Sequence, residues 1–153
     1  RDLHALPPVG NQYEPGLAAR RYARQLGTAE AQDYADRANL MLADLRYEPA
    51  RECLCHNALV AGNMVEVDVG GVVRTGAKND SGLRLIDWEY AGMGDPWFDL
   101  ALVVEHHQLS DELQAGFVNA YLHREVRDAE MRRLLGWRRF YRALLSLWQL
   151  RLS

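Results

Sequence analysis

The chain has 153 residues, 48% of them hydrophobic and 25% charged, the proportions of one globular domain able to bury a core and not those of a disordered chain. Its formal net charge of −3 gives no general argument for nucleic acid or an anionic membrane as partner. No apolar run approaches the roughly 18–20 residues of a transmembrane helix, no signal-peptide pattern opens the sequence, and a cytoplasmic protein is the expectation.

Arg1, not Met, comes first, and RDLHALPPVG reads as the end of a helix running into a proline loop, so the chain is expected to begin mid-protein. PGLAARRYARQLG then places Leu17, Tyr22 and Leu26 on a helical period closed by Gly27. A second helix is predicted over AEAQDYADRANLMLADL, where Ala31, Tyr34, Ala38, Met41 and Leu45 recur at three- and four-residue steps. Thr28 is its N-cap candidate, and Glu48-Pro49 ends helical structure, because the residue before a proline is pushed out of the helical region.

The middle changes character. CLCH, MVEVDV, VVRT and LRLIDW are short β-type runs separated by Gly70-Gly71 and by AKNDSG, which predicts a small antiparallel hairpin between residues 63 and 87. Cys53 and Cys55 lie too close for an ordinary disulfide and lack a second pair to complete a metal site, so reduced thiols packed as small hydrophobes are expected. From Pro96 onward the chain is helical again: FDLALVVEHHQL is mostly apolar, Ser110 can cap DELQAGFVNAYL, and AEMRRLLGWRRFYRALLSLWQLRL is a long amphipathic helix. The sum is a helix-rich α+β unit with a short central β-segment.

Three features of that centre form a constellation: His56-Asn57-Ala58-Leu59-Val60-Ala61-Gly62-Asn63, the strand-terminal Asp87 of LIDWEYAG, and Asp95 and Asp99 of GDPWFDLA. Phosphoryl transfer explains why such residues sit together. Its transition state spreads negative charge over the transferred group, so the site needs cations held by oxygen ligands and a carboxylate to orient the acceptor hydroxyl. Asn63 and Asp87 suit the first task, whereas Ala58 stands at the position of the second.

HNALVAGN resembles the H-x-D-x-x-x-x-N catalytic loop of the aminoglycoside phosphotransferase and choline kinase group, and LRLIDWEYAGMGDPWFDLA resembles its metal-binding segment. IDWEYAG is close to choline-kinase-like and thiamine-kinase-like bacterial members, and LHALP resembles a helix end just after the hinge between lobes. The resemblance covers about residues 3–105 and, more loosely, the C-terminal helices. It implies a protein-kinase-like fold in which residues 1–153 form the C-terminal lobe, with the N-terminal lobe of the same protein as the missing partner and with ATP and Mg2+ as cofactors. It makes Asn63 and Asp87 the metal- and nucleotide-binding pair, His56 and Asp99 supports of the loop, and Ala58 a departure that removes the expected base and impairs turnover. Candidate substrate residues for a quaternary ammonium are Glu89, Tyr90 and Glu105 with Trp137, Tyr141 and Trp148 of the last helix. Trp137 and Tyr141 are four apart, and Trp148 returns near their face. A non-catalytic pseudokinase and an aminoglycoside-type kinase are the alternatives.

Plainer readings attach to the remaining features. The aromatic stripe of the last helix also suits a core, Arg132-Arg133 and Arg138-Arg139 suit a solvated face, and Asp95 before Pro96 suits a cap. His106 and His107 point about 100° apart on a helix and do not share an ion.

Overall fold

A computed structural model describes residues 2–45, 53–66 and 82–150. After a 3-10 turn at Leu3–Ala5, helix α1 (Pro15–Leu26) starts with proline at its first position and ends on Gly27 in the left-handed region, φ 66°, whose N–H bonds the Ala23 carbonyl at 2.9 Å. Helix α2 (Ala29–Asp44) follows at once because Thr28 Oγ1 accepts the Ala31 N–H at 3.1 Å. The buried face of α1 is Pro15, Ala19 and Ala23, and that of α2 is Ala31, Ala35 and Ala38. Small residues let the two helices approach closely, so Leu17, for all its helical spacing, faces outward at 51% exposure. The Glu48-Pro49 break and the turn residues of the predicted hairpin, Gly70-Gly71 and AKNDSG, lie outside the described residues.

The central β-structure comprises two antiparallel pairs among the described residues. Strand β2 (Met64–Glu66) pairs with β3 (Leu83–Leu85), Met64 opposite Leu85, as the predicted hairpin requires. Strand β1 (Cys53–Cys55) pairs instead with β4 (Gly92–Gly94), a strand that AGMG does not announce. Its far side takes the extended segment at residues 11–13: Met93 N–H donates to the Asn11 carbonyl at 2.7 Å and Tyr13 N–H to the Met93 carbonyl at 3.0 Å. A side chain at Gly92 would meet the Asn11 carbonyl at 3.0 Å and Tyr13 N at 3.2 Å, so glycine permits this close approach.

Three helices complete the unit. Asp95 caps α3 (Pro96–His106) by accepting the Trp97 N–H, and Ser110 caps α4 (Asp111–Leu122) through the Leu113 N–H. The long α5 (Asp128–Leu150) buries Leu134, Trp137, Phe140, Tyr141, Leu144 and Leu147 against α2 and α3. Phe98 of α3 is the hub, with ring centroids 5.4 Å from Trp137 and 5.9 Å from Phe140. Each such side chain, fully buried, contributes about 1.5–3 kcal/mol over exposure. Of the arginine pairs, only Arg132 and Arg139 face solvent. Arg133 bonds the buried Asp95, and Arg138 bonds Glu105 and Gln114, tying α5 to the start of α3 and to α4. No helix among the described residues is long and apolar enough to cross a membrane.

Candidate active site

The loop at 56–63 is held from below by one carboxylate. Asp99, in the first turn of α3 and fully buried, accepts the His56 N–H on Oδ2 and the Asn57 N–H on Oδ1, both at 2.8 Å. His4 Nε2 reaches the same Oδ2 at 3.1 Å. A carboxylate accepting several N–H groups fixes a backbone more firmly than a neutral acceptor can. The His56 ring is buried, lies 4.6 Å from the Trp88 ring, and bonds the Ile86 carbonyl through Nε2 at 3.0 Å. A carbonyl only accepts, so Nε2 carries the proton, and His56 braces the strand end that leads to Asp87.

Asn57 is a further fastener that the sequence reading did not single out. It adopts φ 61°, a left-handed conformation that asparagine tolerates better than most residues. Its Nδ2 donates to the Tyr90 carbonyl at 3.0 Å and lies 3.4 Å from that of Gly92. The loop is thereby stitched to the segment that follows Asp87, itself left-handed at φ 62°.

Asn63 ends the loop. Its backbone carbonyl accepts the Ile86 N–H at 3.0 Å, continuing the β2–β3 ladder and setting Asn63 opposite the neighbour of Asp87. Its Nδ2 donates to the Ala58 carbonyl at 2.9 Å, which leaves the amide oxygen as its remaining acceptor. Asn63, Asp87 and Ala58 all line one cleft of about 310 Å³, within the range of small-molecule sites. Ala58 contributes no ionisable group to that lining.

Aromatic rings and one more carboxylate form the rest of the cleft wall. Glu89, Tyr90, Tyr141 and Trp148 line it, joined by Tyr13 and Tyr22. The last two come from the segment before α1 and from α1 itself, and nothing in their local sequence signals a site. Tyr13 lies 6.5 Å from Tyr90 and 5.8 Å from Phe98, ring to ring, and the Tyr22 and Tyr90 hydroxyls are 3.4 Å apart. Burial, with the neighbouring phenols Tyr22 and Tyr90, pushes the Tyr13 hydroxyl well up from its ordinary value. Burial and the nearby Glu105 carboxylate push Tyr141 up to about 12. These rings stay neutral at physiological pH and present uncharged π-faces.

Two candidates are corrected. Trp137 is 1% exposed and packs in the core instead of facing the cleft. Glu105 does not line the cleft; its two oxygens are taken by Arg138 and Arg142. Burial raises its carboxyl, but the hydrogen bonds and charges of Arg142 and Arg138 outweigh this and hold it below the usual carboxylate range. Its work is to join α3 to α5.

Solved structures share this architecture. A choline/ethanolamine kinase family protein from Mesorhizobium loti superposes with a TM-score of 0.74 at 24% identity, over 97% of this chain and 49% of that one. Choline kinase LicA from Streptococcus pneumoniae gives 0.67 at 22% identity, over 97% of this chain and 50% of that one, and a structure of LicA in complex with AMP also gives 0.67. The fold is therefore the helix-rich C-terminal lobe of a kinase-like α+β protein. The model of the phosphotransferase enzyme family matches residues 1–137, and the chain belongs to that family. Among curated relatives, protein LicA of Haemophilus influenzae is 37% identical over 67 residues, 44% of this chain and 21% of that protein. A LicA homolog of Metamycoplasma hominis is 34% identical over 93 residues, 61% of this chain and 31% of that protein. The chain thus spans about half the length of the solved neighbours and less of the curated relatives.

Proposed function

We propose that residues 1–153 are the catalytic and substrate-binding lobe of an ATP- and Mg2+-dependent kinase of a small cationic alcohol, choline-, ethanolamine- or thiamine-like, whose transfer step is impaired at Ala58. The observation that carries this reading is the shared cleft: Asn63 and Asp87 line it together with a ring of neutral aromatics and the acidic Glu89.

The donor set fits a hard cation. Asn63 keeps its amide oxygen available because its nitrogen is engaged by Ala58, and no described residue is hydrogen-bonded to the Asp87 carboxylate; magnesium takes such oxygens and phosphate oxygens together. Bound there, the ion would neutralise charge developing on the transferred phosphoryl group. Asn63 and Asp87 would orient the nucleotide's terminal phosphates, and nucleotide would be completed by a preceding lobe of the same protein. Asp99 and His56 fix the loop and the strand end, so both ligands are preorganised. Tyr13, Tyr22, Tyr90 and Tyr141 offer π-faces to a quaternary or protonated ammonium, an attraction of about 0.5–2 kcal/mol per favourable contact, while Glu89 supplies counter-charge. Ala58 cannot accept the hydroxyl proton, and loss of a general base costs about 10²–10⁴ in rate. That same residue favours a second reading, a non-catalytic module that binds ligand without turnover.

The test is Ala58→Asp in the full-length protein, assayed with Mg-ATP against choline, ethanolamine, thiamine and an aminoglycoside. The kinase reading expects phosphorylation of one of the first three, raised about 10²–10⁴-fold over the unsubstituted protein. Binding of choline with no transfer by either protein supports the binding module instead, and neither binding nor transfer refutes both readings.

A further inference from the structure

Beside the loop, on β1 and the turn that packs against it, lies a group of soft ligands that does not line the cleft and that phosphoryl transfer does not use. Cys53 and Cys55 are two apart on a strand, so their side chains share one face, and their sulfurs are 3.8 Å apart. A disulfide needs about 2.05 Å. Two thiolates on one tetrahedral zinc, at about 2.3 Å each, stand about 3.8 Å apart, so the two thiols, in hydrogen-bonding contact here, already have the spacing a chelating pair needs. The 3-10 turn at Leu3–Ala5 packs on β1 and brings a ring nitrogen of His4 to within 4.8 Å of both sulfurs. A sulfur and an imidazole nitrogen on such an ion stand about 3.6 Å apart, so closure requires the His4 ring to move by about 1 Å.

The surroundings suit a metal-bound imidazole. His4 Nδ1 bonds the Tyr121 hydroxyl at 2.9 Å and Nε2 the Asp99 carboxylate at 3.1 Å. Whichever nitrogen takes the ion, the other keeps an oxygen partner, the outer-sphere contact that orients ligating histidines. Cys55 is fully buried and the His4 side chain 8% exposed, while Cys53 is half-buried and gives a route in from solvent. The geometry points to a binding site for one soft divalent ion of the zinc class, held by Cys53, Cys55 and His4, that clips the N-terminal turn onto the strand leading into the His56 loop. This inference does not rest on the kinase reading: the two sites share Asp99 as a supporting group, but Cys53, Cys55 and His4 are not among the residues assigned there to cation, nucleotide or substrate.

The experiment is titration of the full-length protein with Co2+ and then Zn2+ under a non-thiol reductant, which keeps both sulfurs reduced. Expected are sulfur-to-cobalt charge-transfer absorption saturating at one ion per chain, its displacement by Zn2+, and a melting temperature raised by Zn2+. Cys53→Ser, at a half-buried position where the near-isosteric hydroxyl is tolerated, should abolish the absorption and the zinc-dependent rise. His4→Gln should weaken binding by at least about tenfold. Cobalt on Asn63 and Asp87 alone would show no thiolate band. Absence of the band in the unsubstituted protein, or a band unchanged by Cys53→Ser, overturns the inference.

Discussion

Asp99 is the residue whose loss should be felt first in the backbone of the loop. Its carboxylate is fully buried and accepts two backbone N–H groups at 2.8 Å. Each charge-assisted bond of this kind is worth about 1.5–3 kcal/mol, and a buried donor left without an acceptor incurs its full desolvation penalty. Asp99→Ala removes both bonds; some relaxation and water entry offset the loss, leaving about 3–5 kcal/mol of destabilisation. Asp99→Asn keeps one acceptor but turns an NH2 group toward the other N–H, for about 2–3 kcal/mol. Because natural domains have only about 5–15 kcal/mol to lose, the Ala variant should be difficult to keep folded and the Asn variant is the informative one. Urea unfolding gives the free energy, and hydrogen exchange at the His56 and Asn57 amides gives its location. The reasoning fails if Asp99→Asn lies within about 0.5 kcal/mol of the parent and both amides keep their protection.

Glu105→Gln should leave the affinity for a cationic ligand unchanged while lowering stability by breaking the Arg138 and Arg142 contacts; calorimetry beside a thermal melt separates the two effects. Tyr90→Ala, removing one wall of the aromatic cleft, should weaken binding of a quaternary ammonium by about 2- to 30-fold, read by the same calorimetry. Hydrogen bonds from the Arg124 side chain and the Arg127 N–H hold the Glu130 carboxyl at about 2, below its ordinary 4.5. Its folded value being depressed, Glu130 stabilises fully above pH 4.5 and progressively less as the pH falls through about 2. Solvent screens this exposed pair, so the contribution is small, and comparing Glu130→Gln with the parent by urea unfolding across that window should show the parent losing the additional stability.

Local chemistry announced much of this fold. Thr28, Ser110 and Gly27 sit where capping rules put them, and the β-type runs MVEVDV and LRLIDW foretold the β2–β3 ladder. What escaped depends on contacts distant in the chain. Strand β4 is a glycine pair around Met93, made extended by Asn11 on one side and Cys53–Cys55 on the other, and no propensity marks it. Leu17 had the right period but the wrong face, because alanines permit a closer helix pair than leucines do. In the site, spacing and motif put Asn63, Asp87, Glu89, Tyr90, Tyr141 and Trp148 at what is one cleft. Tyr13 and Tyr22 enter it only through tertiary folding; Trp137 leaves it because the Phe98 hub claims it, and Glu105 because Arg138 and Arg142 do.

Whether Asn63 and Asp87 form the cation-dependent nucleotide site can be tested without turnover. Calorimetric titration of ATP into the full-length protein, with and without Mg2+, should show Mg2+-dependent binding that Asp87→Ala and Asn63→Ala each weaken by at least about tenfold while choline affinity is kept. ATP affinity indifferent to Mg2+ and to both substitutions would contradict the account and leave only a shared architecture.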